Sequence, residues 1–292
     1  MIIKKNISCS YTFCKKNTYI ILGKIHVLKN VKLTVENGTN IHLVNGPMKS
    51  SLIFDKGSQL FAKNIYIKAC NSKNYKPIKF ADNGGICFNG SIDDLNDNII
   101  LSNFTVNKIH TYYLGSFNTQ GILVQDIKLN EWNISSVESY NSACNGFYIK
   151  NSKININNLK ILNSYRDGLI LIDSLLNIIK TLEIKMLKSG KKYNKIFNIN
   201  KINAETFLKF ESNCIVNISG IFGDNLKLIS SDLCQPEKDK YYLFNKCCQE
   251  YSLIFPQNEN QNENEINNSF IRSSLLTNII EHVKIFKNML QY

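Results

Sequence analysis

Arginine is nearly absent from this chain of 292 residues, which carries only Arg166 and Arg272. The formal net charge of +12 therefore comes almost entirely from lysine. Proteins that bind phosphate groups usually enrich the bidentate fork of arginine. Lysine is abundant here together with asparagine, isoleucine and tyrosine, which is the set that an AT-rich coding sequence yields. We therefore expect solvated surface lysines and no specific nucleic-acid partner.

Long apolar stretches and a secretory signal are also missing. No stretch approaches the roughly 18 uninterrupted apolar residues of a membrane helix. The start of the chain has neither an apolar segment of adequate length nor a small-residue cleavage site. These absences predict a soluble protein with no membrane span and no signal peptide, located in the cytoplasm or in a virion.

Motifs for cofactors and metals are missing too. The nine cysteines are odd in number and irregularly spaced, which favours reduced thiols in a core over a disulfide framework. Cys234 with Cys247 and Cys248 lacks the spacing of a zinc site, and Cys9 with Cys14 has no partner pair. The chain has no glycine-rich phosphate loop and no nucleophile elbow. The sequence thus predicts no cofactor and no metal site.

What the chain does contain is a repeat. Residues 145–162 align with residues 167–184 without a gap, at a spacing of about 22 residues. Residues 120–137 fit the same frame, with a turn that is about three residues longer. The repeat consists of short apolar runs between Gly/Asn turns, which lie too close together for intervening helices. Each coil should contain three short strands, which in the second copy are 147–149, 154–156 and 159–162.

Stacked coils would place alternate side chains of each strand in one continuous core. Asparagine and glycine at the corners are expected to take the left-handed backbone conformation that a sharp bend requires. Stacked asparagine side chains can also bond to one another along the stack. The predicted corner residues are Asn145–Gly146, Asp167–Gly168 and Asn157–Asn158.

Four segments are predicted along the chain. Residues 1–231 form a parallel β-helix with an N-terminal cap, 232–255 pack irregularly, and 256–268 are a polar low-complexity linker. Residues 269–292 form an amphipathic helix. That helix either covers an open end of the β-coils or makes a homo-oligomer. Its apolar stripe contains Leu276, Ile279, Val283, Phe286 and Leu290.

This pattern resembles the right-handed parallel β-helix of the pectin lyase-like superfamily. The matching residues are Asn145–Gly146, Asn151–Ser152, Asp167–Gly168 and Asp173–Ser174. The clear match covers 121–184 and extends more weakly to Tyr19 and Ile229. It implies an all-β, right-handed, single-stranded parallel β-helix, here followed by the C-terminal α-helix. The composition and the missing signal resemble those of large-DNA-virus proteins.

The superfamily includes polysaccharide lyases, glycoside hydrolases, adhesins and virus surface proteins, so the resemblance leaves the activity open. Inverting hydrolases need two carboxylates about 6.5–9.5 Å apart. Asp93–Asp94 is the only pair of adjacent acidic residues in the sequence, and it lies in a predicted loop without a Gly-His-Gly element anywhere in the chain. Lyases use arginine or lysine as a base. Arg166 beside Asp167 is the candidate, although Asp167 aligns with Asn145 as a corner residue.

A glycan contact is the remaining candidate site. Residues 108–120 should bulge out of the coil, and they contain His110, Tyr112 and Tyr113. Aromatic rings stack on sugar faces, although tyrosines also hold down ordinary surface loops. Two functions therefore stay open: a non-catalytic structural or binding β-helix, virion-associated or glycan-binding, and a polysaccharide lyase or glycoside hydrolase.

Overall fold

The computed structural model gives a nearly all-β fold. It describes residues 1–91, 101–186, 197–200, 206–211, 214–220, 226–230, 240–244 and 248–253. All of them belong to the compact unit Met1–Phe255. Among these residues, no helix has the length and apolar character to cross a membrane.

The described residues form 22 strands and one 3-10 helix. The first nine strands are β1 (Ile2–Ile3), β2 (Tyr11–Phe13), β3 (Thr18–Ile21), β4 (Lys24–Val27), β5 (Lys32–Val35), β6 (Thr39–Val44), β7 (Ser51–Phe54), β8 (Gln59–Cys70) and β9 (Gly85–Asn89). The next eight are β10 (Asn103–Tyr112), β11 (Ile122–Gln125), β12 (Trp132–Tyr140), β13 (Phe147–Lys150), β14 (Lys153–Leu162), β15 (Leu169–Ile172), β16 (Leu175–Lys185) and β17 (Phe197–Asn200). The last five are β18 (Phe207–Phe210), β19 (Ile215–Gly220), β20 (Leu226–Ser230), β21 (Lys240–Phe244) and β22 (Cys248–Leu253). The 3-10 helix is Leu129–Glu131.

Two sheets contain these strands, a large one of 15 and a small one of seven. From β8 to β16 the chain visits the two sheets alternately. Each strand pairs in parallel with the strand two places further along, as β8 does with β10 and β9 does with β11. A chain that returns to the same sheet in parallel after one strand elsewhere is winding in coils. The topology is therefore compatible with a parallel β-helix.

The number of strands per coil differs from the predicted three in the middle coils. In the early coils β5 and β6 are separate, and both pair with the single long strand β8. From β8 to β16 the second and third predicted strands form one strand with a bend, and β18 and β19, which pair with the two halves of β16, are separate again. In β14, Ile154 and Ile156 are buried, and burial resumes at Leu159 and Ile161. Two consecutive residues at the bend are not buried, which moves the inward positions by one residue beyond it. The apolar side chains therefore point into the core on both sides of the bend.

The register corrects the repeat alignment in one place. Phe147 pairs with Leu169, which is the predicted offset of 22 residues. After the bend, Leu159 pairs with Leu182, which is an offset of 23. The alignment without a gap is therefore wrong beyond the bend, because the corner at Lys180 is one residue longer. The longer turn of the preceding copy is confirmed, and the 3-10 helix Leu129–Glu131 lies in it.

The left-handed corner residues are not the predicted ones. Asp126, Asn151 and Asp173 have φ values of 59°, 46° and 49°, and each directly follows a strand of the small sheet. Asn145, Asp167, Asn157 and Asn158 do not have a positive φ. Asn145 and Asp167 lie before strands of the small sheet rather than after them, and Asn157 and Asn158 lie within β14. Gly146 is required for a different reason: a Cβ there would collide with the Ile161 side chain and the Ser164 hydroxyl.

Polar ladders at the corners link successive coils. The Ser152 hydroxyl accepts a hydrogen bond from the Ile127 amide at 3.0 Å, and the Ser174 hydroxyl accepts one from the Ser152 amide at 3.1 Å. Asn151 donates to Asp126 at 2.9 Å, so this bond along the stack joins asparagine to aspartate rather than asparagine to asparagine. These bonds satisfy backbone groups that leave the strand ladder at each corner. The Asn/Asp-Ser pairs of the sequence are therefore structural.

A continuous apolar core lies between the sheets. It contains an aromatic cluster in which Phe88 stacks on Phe54 at 5.2 Å and meets Phe104 and Trp132 edge to face. Phe88 is completely buried, and burying a side chain of this size stabilises a fold by about 1.5–3 kcal/mol.

The C-terminal segments differ from the prediction where they are described. Residues 232–255 were expected to pack irregularly, but they contain β21 and β22, which pair antiparallel with β20 and β19. The predicted linker 256–268 and helix 269–292 lie outside the described residues.

Candidate functional site

Ionisable and aromatic side chains line the outward face of the large sheet. The parallel register places them in two columns that cross the strands. The ionic column contains Tyr66, His110, Glu138, Lys160 and Glu183. The tyrosine column, two residues further along each strand, contains Lys68, Tyr112 and Tyr140.

Two of the three predicted glycan residues lie on a strand and not in a bulging loop. His110 and Tyr112 belong to β10, where they alternate with the buried residues Ile109 and Thr111. Tyr113 follows β10 with a φ of 58° and turns the chain away from the sheet. The bulge is therefore confined to residues 113–121, because the strand continues to pair up to Tyr112.

Rings in the two columns stack on each other across neighbouring strands. The centroids of Tyr66 and His110 are 4.6 Å apart, and those of Tyr112 and Tyr140 are 4.8 Å apart. The Lys68 ammonium lies 5.5 Å from the Tyr112 centroid, from the strand opposite to Tyr140. Neighbours thus occupy both faces of the Tyr112 ring. A sugar that meets this ring contacts its edge and hydroxyl.

Glu138 is the centre of the ionic column. Its carboxylate lies 2.6 Å from Lys108 Nζ, and it accepts a hydrogen bond of 2.8 Å from the Tyr140 hydroxyl. Burial alone would raise the pKa of Glu138, but Lys108, Tyr140 and His110 together hold that pKa below its usual value. The carboxyl group is therefore ionised at neutral pH.

His110 contacts this carboxylate, but the imidazole is not protonated at neutral pH. Its Nδ1 lies 2.8 Å from Glu138 Oε2, but the contact lacks hydrogen-bond geometry. Burial lowers the pKa of His110, and the nearby Glu138 charge offsets this only in part. Burial, together with Glu138, also raises the pKa values of Tyr112 and Tyr140. At neutral pH the site thus contains a neutral imidazole and two protonated phenols.

A second carboxylate lies two strands from the first. Glu183 is 2.6 Å from Lys160 Nζ and 3.2 Å from Lys185 Nζ, and these lysines lower its pKa although burial acts to raise it. Two strand spacings separate Glu138 from Glu183 by about 9.6 Å, which is close to the carboxylate gap of inverting hydrolases. A general acid, however, needs a raised pKa. Both groups here are ionised and paired with lysine.

The other predicted catalytic residues have structural contacts. The Arg166 guanidinium lies 4.4 Å from the centroid of the exposed Phe117 ring. The Asp167 amide donates to Asn145 Oδ1 at 3.1 Å, and the Asp167 side chain is largely buried. These contacts tie residues 163–168 to the neighbouring coils. Asp93 and Asp94 lie outside the described residues.

Glu138 and its partners Lys108 and Tyr140 are not among the site residues predicted from the sequence. The repeat could have predicted that Glu138 lies beside Lys160, because the two residues are one period of 22 residues apart. The strand pairing confirms this alignment. The frame as aligned ended at residue 137, one residue before Glu138. Continuing it along the strand would have aligned the charged residues in one outward column.

Six cysteines form no disulfide, and these are Cys9, Cys14, Cys70, Cys87, Cys144 and Cys214. Burial raises the pKa of Cys87 to about 12. Within the described ranges, no three His, Cys, Asp or Glu side chains converge as metal ligands would.

Fold and site together define a class: a nearly all-β protein of parallel sheets with an ionisable, aromatic outer face. Comparison with known protein families, with curated proteins and with solved structures finds no match to this chain.

Proposed function

We propose that this protein is a non-catalytic right-handed parallel β-helix, related to the pectin lyase-like superfamily, that serves as a structural and glycan-binding component of a virion. The ionic and tyrosine columns are its binding face. The rigid stack of coils holds the side chains of this face at the strand spacing of about 4.8 Å.

The observation that carries this proposal is the charge state of the two carboxylates. Glu138 and Glu183 are each held ionised by neighbouring donors. An ionised carboxylate paired with lysine cannot deliver the proton that a glycosidic leaving group requires. The face is therefore better suited to binding than to hydrolysis.

The charge of the face suggests the class of glycan. Lys68, Lys108, Lys160 and Lys185 lie on it with Glu138 and Glu183, so four positive charges meet two negative ones and the balance is +2. The phenols of Tyr112 and Tyr140 add hydroxyl groups that stay protonated. An acidic polysaccharide supplies carboxylates for the lysines and hydroxyls for the phenols.

The test is a panel of acidic and neutral polysaccharides, measured for binding by affinity electrophoresis and for cleavage by reducing ends and unsaturated product. We expect retardation by acidic polysaccharides and no cleavage. Tyr140→Phe and Lys68→Ala should each weaken binding. Tyr148→Phe, which removes a hydroxyl from the small sheet instead, should not.

The alternative is a polysaccharide lyase or glycoside hydrolase, which the spacing of Glu138 and Glu183 favours. Turnover that is lost in both Glu138→Gln and Glu183→Gln would establish the enzyme and reject the non-catalytic proposal. Turnover lost in Asp167→Asn instead would place the chemistry at the corner beside Arg166. Detection of the protein in purified particles of its source tests the virion assignment separately.

A further inference from the structure

The outward side of the small sheet has an apolar column. The register aligns one residue from each of five successive strands, and His26 and Asn198 continue the row at its two ends. The apolar column contains Ile53, Cys87, Leu123 and Tyr148, which are partly exposed, and Ile170, which is buried. The residues on either side of each along its strand belong to the core: Leu52 and Phe54 beside Ile53, for example, are buried. A contiguous apolar stripe on an outer sheet face is typical of an interaction surface.

A polar column runs beside the apolar one, two residues further along each strand. It contains Asp55, Asn89, Gln125 and Lys150. Its two ends have opposite charges, and its two middle positions are amides. Lys150 is exposed, and the Asp55 side chain is about one-third exposed (31%) and also contacts His26 at 2.7 Å.

We propose that the small sheet binds a second copy of this chain through this face. A two-fold axis that lies between the two copies and parallel to the strands reverses the order of the coils but keeps each position along the strand. With the axis between β9 and β11, Asp55 of one copy faces Lys150 of the other, and Asn89 faces Gln125. In the apolar column Ile53 faces Tyr148, and Cys87 faces Leu123. Each column of one copy is thus complementary to the same column of the second copy.

The charge pattern favours a second copy over other partners. A membrane surface or an acidic protein would call for one sign of charge along the face, whereas this column has a carboxylate at one end and an ammonium at the other. In a two-fold dimer the carboxylate of each copy meets the ammonium of the other, so two ion pairs form. The chain's net charge of +12 opposes the approach of two copies, so the contact must be local.

The area of the face indicates a weak dimer. Seven strands at about 4.8 Å, each of about four residues at about 3.3 Å, cover roughly 400 Å² per copy. Stable interfaces bury about 800 Å² per partner. We therefore expect dissociation constants in the micromolar range or weaker, and a monomer at high dilution.

The test is sedimentation equilibrium of the full chain at physiological ionic strength, over concentrations that bracket the micromolar range. Asp55→Lys and Lys150→Asp should each raise the dimer dissociation constant by about tenfold, because each reversal places like charges together at two symmetric contacts. The double variant with both reversals should restore the parent value. Lys63→Asp, a charge reversal at an exposed position of β8 in the large sheet, should leave it unchanged.

Leu123→Glu is a second probe, because it buries a charge at the centre of the apolar column and should leave a monomer. Far-UV circular dichroism of each variant checks that the fold is intact. A parent that stays monomeric at all concentrations overturns the proposal, as does a dimer in which the double reversal fails to restore affinity. Binding to anionic vesicles that is lost in Leu123→Glu, with no dimer, would assign the face to a membrane instead.

Discussion

The two sheets enclose one core but have different outer faces. On the large sheet, the outward columns contain glutamates, lysines, a histidine and tyrosines that pair with one another across strands. On the small sheet, the outward column is aliphatic apart from Cys87 and Tyr148. Both sheets bury the same kinds of residue inward. The fold therefore requires apolar side chains only at the inward positions. The outward positions of the two sheets can differ in chemistry and can serve different binding functions.

Parallel stacking also changes what a single outward residue can do. Each position along a strand lies about 4.8 Å from its equivalents in the neighbouring coils. A side chain on the large sheet consequently meets two neighbours, and Glu138 gains Lys108 and His110 from β10 in this way. Tyr140 lies two residues further along the same strand as Glu138. Functional columns can thus arise from residues that lie more than 20 positions apart in sequence.

The largest expected effect is on the core that both faces share. Phe88→Ala removes a fully buried ring from the cluster with Phe54, Phe104 and Trp132, so it should lower the free energy of unfolding by about 3–5 kcal/mol. Chemical denaturation followed by circular dichroism measures this loss. Phe117→Ala is the matched control, because that ring is 64% exposed and its removal should cost under about 1 kcal/mol. Equal losses in the two variants would show that the sheets do not share a packed core.

The next effect concerns the corner that connects the two sheets. Glu131 is completely buried, and its carboxylate accepts hydrogen bonds from the Ser91 hydroxyl at 2.5 Å, the Ser102 amide at 2.9 Å and the Lys128 amide at 2.8 Å. In Glu131→Gln the new amide group would face one of these donors. We expect a loss of about 2–3 kcal/mol in the free energy of unfolding, since a buried donor left without a partner costs about that much.

Glu36→Gln is the control for Glu131→Gln. Glu36 lies at an exposed turn and accepts a single hydrogen bond from the Lys15 amide at 2.7 Å. Its substitution should have a clearly smaller effect in the same denaturation experiment. A Glu131 variant as stable as the Glu36 variant would mean that the corner does not depend on this carboxylate.

The repeat made the coils predictable from sequence, because the period of short apolar runs reports directly on stacking. Leu169 under Phe147, and the longer turn before β12, follow from that period. The extra residue near Lys180 could not be predicted from the period. It is tolerated because two outward positions are adjacent there, and only the pairing of the strands shows where it is inserted.

The outer site was harder to predict than the core. His110 and Tyr112 stood out because histidines are few and aromatic pairs are conspicuous, but their setting on a strand depended on how far β10 continues. Glu138 looked like any polar residue of an alternating strand. Its role comes largely from Lys108 and His110, which contact it only after the neighbouring coil is aligned. Cross-strand contacts of this kind are properties of the register, which a single strand does not encode.

Glu138→Gln tests the large face alone. The amide keeps the shape of the carboxyl group but leaves the half-buried Lys108 ammonium without its counter-charge. We expect a loss of about 1–2 kcal/mol in the free energy of unfolding. Glu183→Gln, which is more exposed, should lose less. If both variants were as stable as the parent, the ionic column would contribute nothing to the fold and would be retained for binding alone.

The smallest effect is on the pH dependence of stability, and it too belongs to the large face. His42 and His110 both lie on its outward side, and burial lowers the pKa of each below the ordinary value of 6.5. The unfolded chain then takes up protons before the folded chain does. The stability that the neutral imidazoles contribute is therefore present above about pH 6.5 and is lost as the pH falls towards their folded pKa values. Glu138 and Glu183, whose folded pKa values are lowered, contribute stability that is lost only at still lower pH.

Denaturation at about pH 7.5 and about pH 5.5 should thus show a lower free energy of unfolding at the lower pH. In the double variant His42→Gln/His110→Gln this difference should shrink, whereas Tyr148→Phe on the small sheet should keep it. A double variant that loses as much stability as the parent would place the acid sensitivity outside the large face.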